Sequence, residues 1–321
     1  MLPRQIFKRS HERDTRRSNL TTPPINWANH FRLRWVHFAL IVSLTAASVH
    51  NVFALTIIRE FIGGDPQPIA VGEGNLIDIF NEAADQWERA ILDPHVVTLR
   101  FGWAPVGGGT HELLAQGGFP NRETEGLILF NNDSDPEHFK WFLDPTPHLN
   151  EEYLRYEESS IELGGGSLNS GRIFSDAVGA ADSGFTHIDL LSSALHEIGH
   201  SLGMSNNNAA FTMESIDGDI DITSPRPFPG TTVPLAFNNL GVDSHPDPIA
   251  IPFGLAMGSQ AADQRQRLTE LDILMISQLG SFEEIRLDPY VASVPEPSSF
   301  LLFGSGFIGW SWWRARTKNR L

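Results

Sequence analysis

His196, Glu197 and His200 carry the clearest chemical signal in the chain, within Leu195-His196-Glu197-Ile198-Gly199-His200-Ser201. On a helix, histidines four residues apart project together, one turn from each other. Both imidazoles then reach one zinc ion at about 2 Å. Glu197 lies beside them, placed to take a proton from water that the metal acidifies. The spacing predicts a metal site held by His196 and His200, with Glu197 as general base. The chain has 12 histidines and no cysteine. Thiolate nucleophiles, disulfides, Cys-ligated zinc and latency through a cysteine on the metal are therefore excluded.

A helix must hold these groups. Leu191, Ala194, Leu195, Ile198 and Leu202 form one apolar stripe. At about 100° per residue the two histidines lie roughly 140–180° from that stripe, so the stripe buries and the histidines face a cleft. Thr186 and Asp189 have capping-box spacing, which predicts a helix over about 187–202. Gly203, three residues after His200, is where the chain turns off it.

Other elements follow from periodicity. Ile77, Phe80, Ala84, Trp87 and Ile91 predict a helix over 75–92, ended by Asp93-Pro94. Residues 96–101 alternate as a strand, Gly107-Gly108-Gly109 reads as a loop, and 127–130 as a second strand followed by a polar loop. Residues 141–147 read as a rigid loop and 151–185 as short segments with Gly-rich turns. Residues 205–256 read as mostly loop, and a last helix spans about 269–279. The expected class is α+β, with a twisted sheet, an active-site helix and a loop-rich C-terminal subdomain.

The segment Ala194-Leu195-His196-Glu197-Ile198-Gly199-His200-Ser201-Leu202-Gly203-Met204 resembles the zinc helix of metzincin peptidases, whose pattern is HExxHxxGxxH. Gly203 fits, but the last position is Asn206, a poor zinc ligand. Three protein ligands must then be completed elsewhere. His245, in Asp243-Ser244-His245-Pro246-Asp247, is the best candidate; His95, His111, His138, His148 and His187 are the alternatives. A later Gly254-Leu255-Ala256-Met257-Gly258 and Arg267-Leu268-Thr269-Glu270-Leu271-Asp272 give an order similar to the leishmanolysin-like branch of the metzincins. That resemblance implies a metzincin-like fold, a delayed third histidine at His245, and Met257 as the methionine packed under the metal, with Met213 as a rival. It also implies a zinc endopeptidase acting on protein or peptide, bound as a strand added to a sheet edge, for which 127–130 is one candidate and a buried central strand the other reading. The alternative function is a non-catalytic cell-surface or extracellular-matrix protein on a peptidase-derived fold.

Both ends read as addresses. Residues 1–54 run from a basic leader through an apolar stretch beginning at Trp35 to Val52-Phe53-Ala54, the layout of a secretory signal peptide with a long leader. Signal peptidase is the implied partner, and 55–290 the catalytic domain. In 291–321, Pro295-Glu296-Pro297 precedes an apolar run over 300–313 and then Arg314, Arg316, Lys318 and Arg320. This resembles the PEP-CTERM sorting signal of Gram-negative bacteria. The resemblance implies transient inner-membrane insertion, cleavage by an exosortase near the triplet, and release to the cell surface or extracellular matrix; an ordinary C-terminal anchor is the competing reading.

Charge separates along the chain. Of 23 basic residues eight lie in 1–54 and four in 295–321; of 39 acidic residues two and one lie there. Residues 55–294 are left with 11 basic and 36 acidic side chains. So acidic a surface argues against nucleic acid as a partner. The acidic runs at 217–221 and 131–135 are candidate calcium loops without the full EF-hand pattern; solvated acidic loops are the other reading.

Overall fold

The computed structural model describes residues 54–133, 140–177, 187–239, 241–252 and 254–290. Most of the leader, the C-terminal tail with Pro295, Glu296 and Pro297, Thr186, and His138 lie outside them. Helix α1 (Leu76–Ala90) begins at Asn75, whose side chain accepts a hydrogen bond from Asp78 N at 3.0 Å. Its buried face carries Ile79, Phe80, Ala83, Ala84 and Trp87. Phe80 stacks on Phe101 with centroids 3.9 Å apart, and Trp87 Nε1 donates to Leu195 O at 3.0 Å. This helix therefore ties the main sheet to the helix that carries the histidines. Each such large side chain stabilises the core by about 1.5–3 kcal/mol.

The main sheet has the order β1 (Leu55–Phe61), β2 (His95–Ala104), β4 (Arg122–Asn131), β3 (Gly109–Gly117). β1, β2 and β4 run parallel; β3 is antiparallel to β4 and forms the edge. Residues 127–130 thus belong to a central strand, which settles the choice left by the sequence against their being the edge. The edge strand begins at Gly109 and continues through residues that the sequence leaves unassigned. β3 alternates half-buried and exposed residues, but its half-buried positions include Gly109, His111 and Gly117, so no clean apolar alternation marks it.

Strand β5 (Lys140–Phe142) pairs in parallel with β8 (His187–Asp189). Helix α2 (Leu190–Ser201) starts directly after β8, so the expected start at 187 is corrected. Asp189 is itself the N-cap, accepting from Ser192 N at 2.9 Å and Ser192 Oγ at 2.7 Å. The stripe of Leu191, Ala194, Leu195, Ile198 and Leu202 is buried as expected, but so is every residue of α2.

Two further expectations are corrected. Residues 151–185 hold a long hairpin, β6 (Tyr153–Glu162) with β7 (Ser167–Ala177), joined by β12 (Gln264–Gln266) on its other side. β6 is polar and exposed on both faces, so no period-2 signal marks it. Residues 205–256 contain α3 (Ala209–Glu214), a 3-10 turn, and a sheet of order β11 (Gly241–Pro246), β10 (Thr232–Asn238), β9 (Asp219–Asp221). Helix α4 (Glu270–Leu279) matches its expected span and carries a capping box between Thr269 and Asp272. The class is α+β with open sheets.

A buried ionic knot locks these parts together. The fully buried Arg265 guanidinium pairs with Asp144 and with Asp189, the latter at 2.9 Å, and donates to Leu149 O at 2.9 Å. It joins β12, the loop after β5 and the start of α2.

Candidate metal centre

The His196 side chain lines a cleft of about 480 Å³ together with Gly108, Gly109, Trp141, Glu197 and His245, among others, and His200 lies behind it. His245 comes from β11, the second strand of a hairpin that folds back over the helix. His200 Nε2 lies 3.0 Å from His196 Nε2, and His245 Nε2 lies 3.2 Å from the same atom. Among the described residues these three histidines bring ligand atoms within reach of one ion, while the His111 ring stacks 6.3 Å from that of His200. His95 and His111 are engaged by Glu123, His187 faces Asp263, and His148 is exposed. Asn206 is exposed and does not line the cleft.

The outer nitrogen of each ring fixes the tautomer. His196 Nδ1 lies 2.8 Å from Ala256 O, and His200 Nδ1 contacts Met204 O. A carbonyl oxygen only accepts, so both Nδ1 atoms carry hydrogen. His245 Nδ1 lies 2.9 Å from Asp243 Oδ1, a carboxylate that fixes it the same way. Burial works against the Asp243 charge, but His245 outweighs it and holds Asp243 below the usual carboxylate range. Nε2 of His196 and of His200 is then the acceptor nitrogen, and both point with His245 Nε2 into one small space. Burial also favours neutral rings: it pushes His196 down to about 4, assisted by His245, and His200 well below its ordinary value.

Local sequence explains this placement. Gly203, at φ +144°, takes a conformation open to glycine, and the reversed chain brings Met204 O back to His200. Gly199 lies between two packed neighbours: a Cβ there would sit 2.1 Å from Met257 Sδ and 3.3 Å from Trp87. Met257 is fully buried against the helix between the two histidines, whereas the rival Met213 is 78% exposed. Sequence reasoning missed what holds Met257. The Asp272 carboxylate accepts from Ala256 N at 3.1 Å and Met257 N at 2.9 Å while capping α4. The Thr269-x-x-Asp272 spacing was the available signal, although it names only the cap.

Glu197 lines the same cleft, 6% exposed. Burial pushes its carboxyl up to about 8 in the metal-free chain; a nearby cation acts in the opposite direction. The first residue of β3 closes over it, since a Cβ at Gly109 would lie 2.6 Å from Glu197 Oε1. The edge strand thus begins against Glu197.

The described helices include none long and apolar enough to cross a membrane. Among families of known proteins, residues 293–315 match the PEP-CTERM protein-sorting motif. The chain carries a PEP-CTERM sorting signal. That motif marks proteins exported in Gram-negative bacteria and anchored or processed by an exosortase, so this protein is exported by that route. No curated protein and no solved structure matches the chain.

Proposed function

We propose that the protein is an exported zinc-dependent endopeptidase on a metzincin-like fold, with His196, His200 and His245 as metal ligands and Glu197 as general base. The observation that carries the reading is the convergence of three imidazoles, with His200 Nε2 and His245 Nε2 lying 3.0 and 3.2 Å from His196 Nε2. A divalent cation among these nitrogens would take all three as ligands at once. A tetrahedral zinc bound at about 2.0–2.1 Å sets its nitrogens roughly 3.3 Å apart, so the donor set fits the ion. Each ring also has the carbonyl or carboxylate partner on its far nitrogen that metal-ligating histidines use. Met257 under Gly199 supports the metzincin-like comparison.

Bound there, the cation would supply Lewis acidity, polarising a carbonyl and acidifying water. The chain does the rest. An extended peptide adds to β3, whose outer edge is unpaired among the described residues, and its backbone groups fix the register. Gly108 and Gly109, without side chains, let that strand approach Glu197. Glu197 takes the proton of the attacking water and later gives it to the leaving amine nitrogen. Trp141 forms part of the opposite wall and restricts bulk water.

The test is casein hydrolysis by the exported protein with and without a chelator. Loss on chelation and recovery on adding zinc is the expected result; hydrolysis indifferent to chelation would refute the assignment.

A further inference from the structure

A second cavity, of about 600 Å³, opens among α1, β6, β7 and residues 286–290 and shares no lining residue with the metal cleft. Arg89, Arg172, Arg267 and Arg286 all line it. These are four of only 11 basic residues in a 55–294 stretch that carries 36 acidic ones. Clustering them against their own repulsion calls for a compensating anion.

Internal carboxylates supply only part of it. Glu82 accepts from Arg89 at 3.0 Å and lies 3.7 Å from Arg267. Arg172 has Asp288 at 3.5 Å and Glu158 at 3.6 Å. Three carboxylates against four guanidinium groups leave a single positive charge. The unspent donor is identifiable. Arg172 is largely spent: its Nε makes no hydrogen bond but faces Glu158 Oε1 at 3.6 Å, and its Nη1 donates to Leu268 O at 3.2 Å. The Arg286 guanidinium has no hydrogen bond or ion pair among the described residues.

Rings flank those donors. Tyr156 is 49% exposed, with its ring 4.5 Å from that of Phe174. Tyr290 is held by its hydroxyl, which donates to Gln86 Oε1 at 2.9 Å and accepts from Leu268 N at 2.7 Å, while 38% of the residue stays exposed. A guanidinium fork matches a planar carboxylate, and tyrosine faces stack on flat rings. One uncompensated charge suits a monoanion better than a phosphate dianion.

We infer that this cavity binds a ring-bearing monocarboxylate, either an aromatic acid or a uronic-acid sugar. The test is calorimetric titration of the exported protein with benzoate, glucuronate and inorganic phosphate. At least one ring carboxylate should bind one per chain and phosphate should not, and the tighter of the two tells the source. Arg286→Ala removes a half-exposed side chain with no internal partner and should weaken that binding roughly tenfold, as should Tyr156→Ala. Failure of both carboxylates to bind, phosphate binding as tightly as either, or unchanged affinity in both variants would overturn the inference. Peptidase activity does not enter this readout.

Discussion

In the proposed mechanism Glu197 and the three histidines divide their work between proton and metal, and single substitutions separate the two. Glu197→Gln keeps the shape of the side chain and removes the base. Hydrolysis should fall roughly a hundred- to ten-thousand-fold while bound zinc stays at the wild-type level. Retained activity in that variant would remove Glu197 from the mechanism. His245→Ala should instead lose the metal, read by elemental analysis of the purified protein, because two imidazoles leave the ligand set incomplete. His196, Glu197 and His200 are legible in sequence because a helix converts a spacing of four into a shared face. His245 is not legible that way. It lies 45 residues beyond His200 and reaches the site through a strand pairing that no local pattern encodes. Only the resemblance selected it from the other histidines.

At the scale of elements, α2 is gripped at two points, and each grip makes a prediction. Gly199→Ala would drive a methyl group into Met257 Sδ at 2.1 Å, between His196 and His200. A loss of about 1–3 kcal/mol is expected from such overpacking, seen as a lower chevron or denaturant midpoint together with weaker zinc binding. At the helix start, burial opposes the Asp189 charge, but Arg265 and Ser192 outweigh it and hold its carboxyl below the usual value. A depressed carboxylate contributes stability above its unfolded value, about 3.9, and that stability disappears as pH falls through the folded-state value. Urea denaturation should therefore show stability declining below about pH 4. Asp189→Asn should cost about 3–5 kcal/mol at neutral pH, because Arg265 loses a buried partner, and should flatten the acid slope. An acid slope unchanged in Asp189→Asn would contradict this role.

The helices α1 and α2 were readable because their apolar residues repeat at 3.6, whereas α4 is buried on nearly every side. Strands β3 and β6 were not readable, since one is a half-exposed edge and the other is solvated on both faces. The start of α2 was misplaced by three residues because His187–Asp189 pairs with β5, a long-range contact that overrides a local capping pattern. Arg265 and Asp272 escaped for the same reason. Each is a charged residue whose partners come from distant segments, and sequence alone shows only the charge.

At the scale of the whole molecule, an acidic exported body sits between a basic leader and a basic tail. The PEP-CTERM motif over 293–315 makes the destination a property of the C-terminus. A chain ending at Ala292 should still cross the inner membrane, but lose exosortase processing and change its distribution among membrane, surface and medium on cell fractionation. An unaltered distribution would show that the motif does not direct sorting here. The acidic surface and the arginine-lined cavity also belong to this scale: the general field repels anions, while one concave region is arranged to accept them.

The most direct measurement is the zinc content of the purified exported protein, taken together with its casein hydrolysis. One zinc per chain is expected, removed by chelator with all activity and restored with it on adding zinc. A folded protein that holds no zinc, and takes up none when it is supplied, would contradict the assignment of His196, His200 and His245.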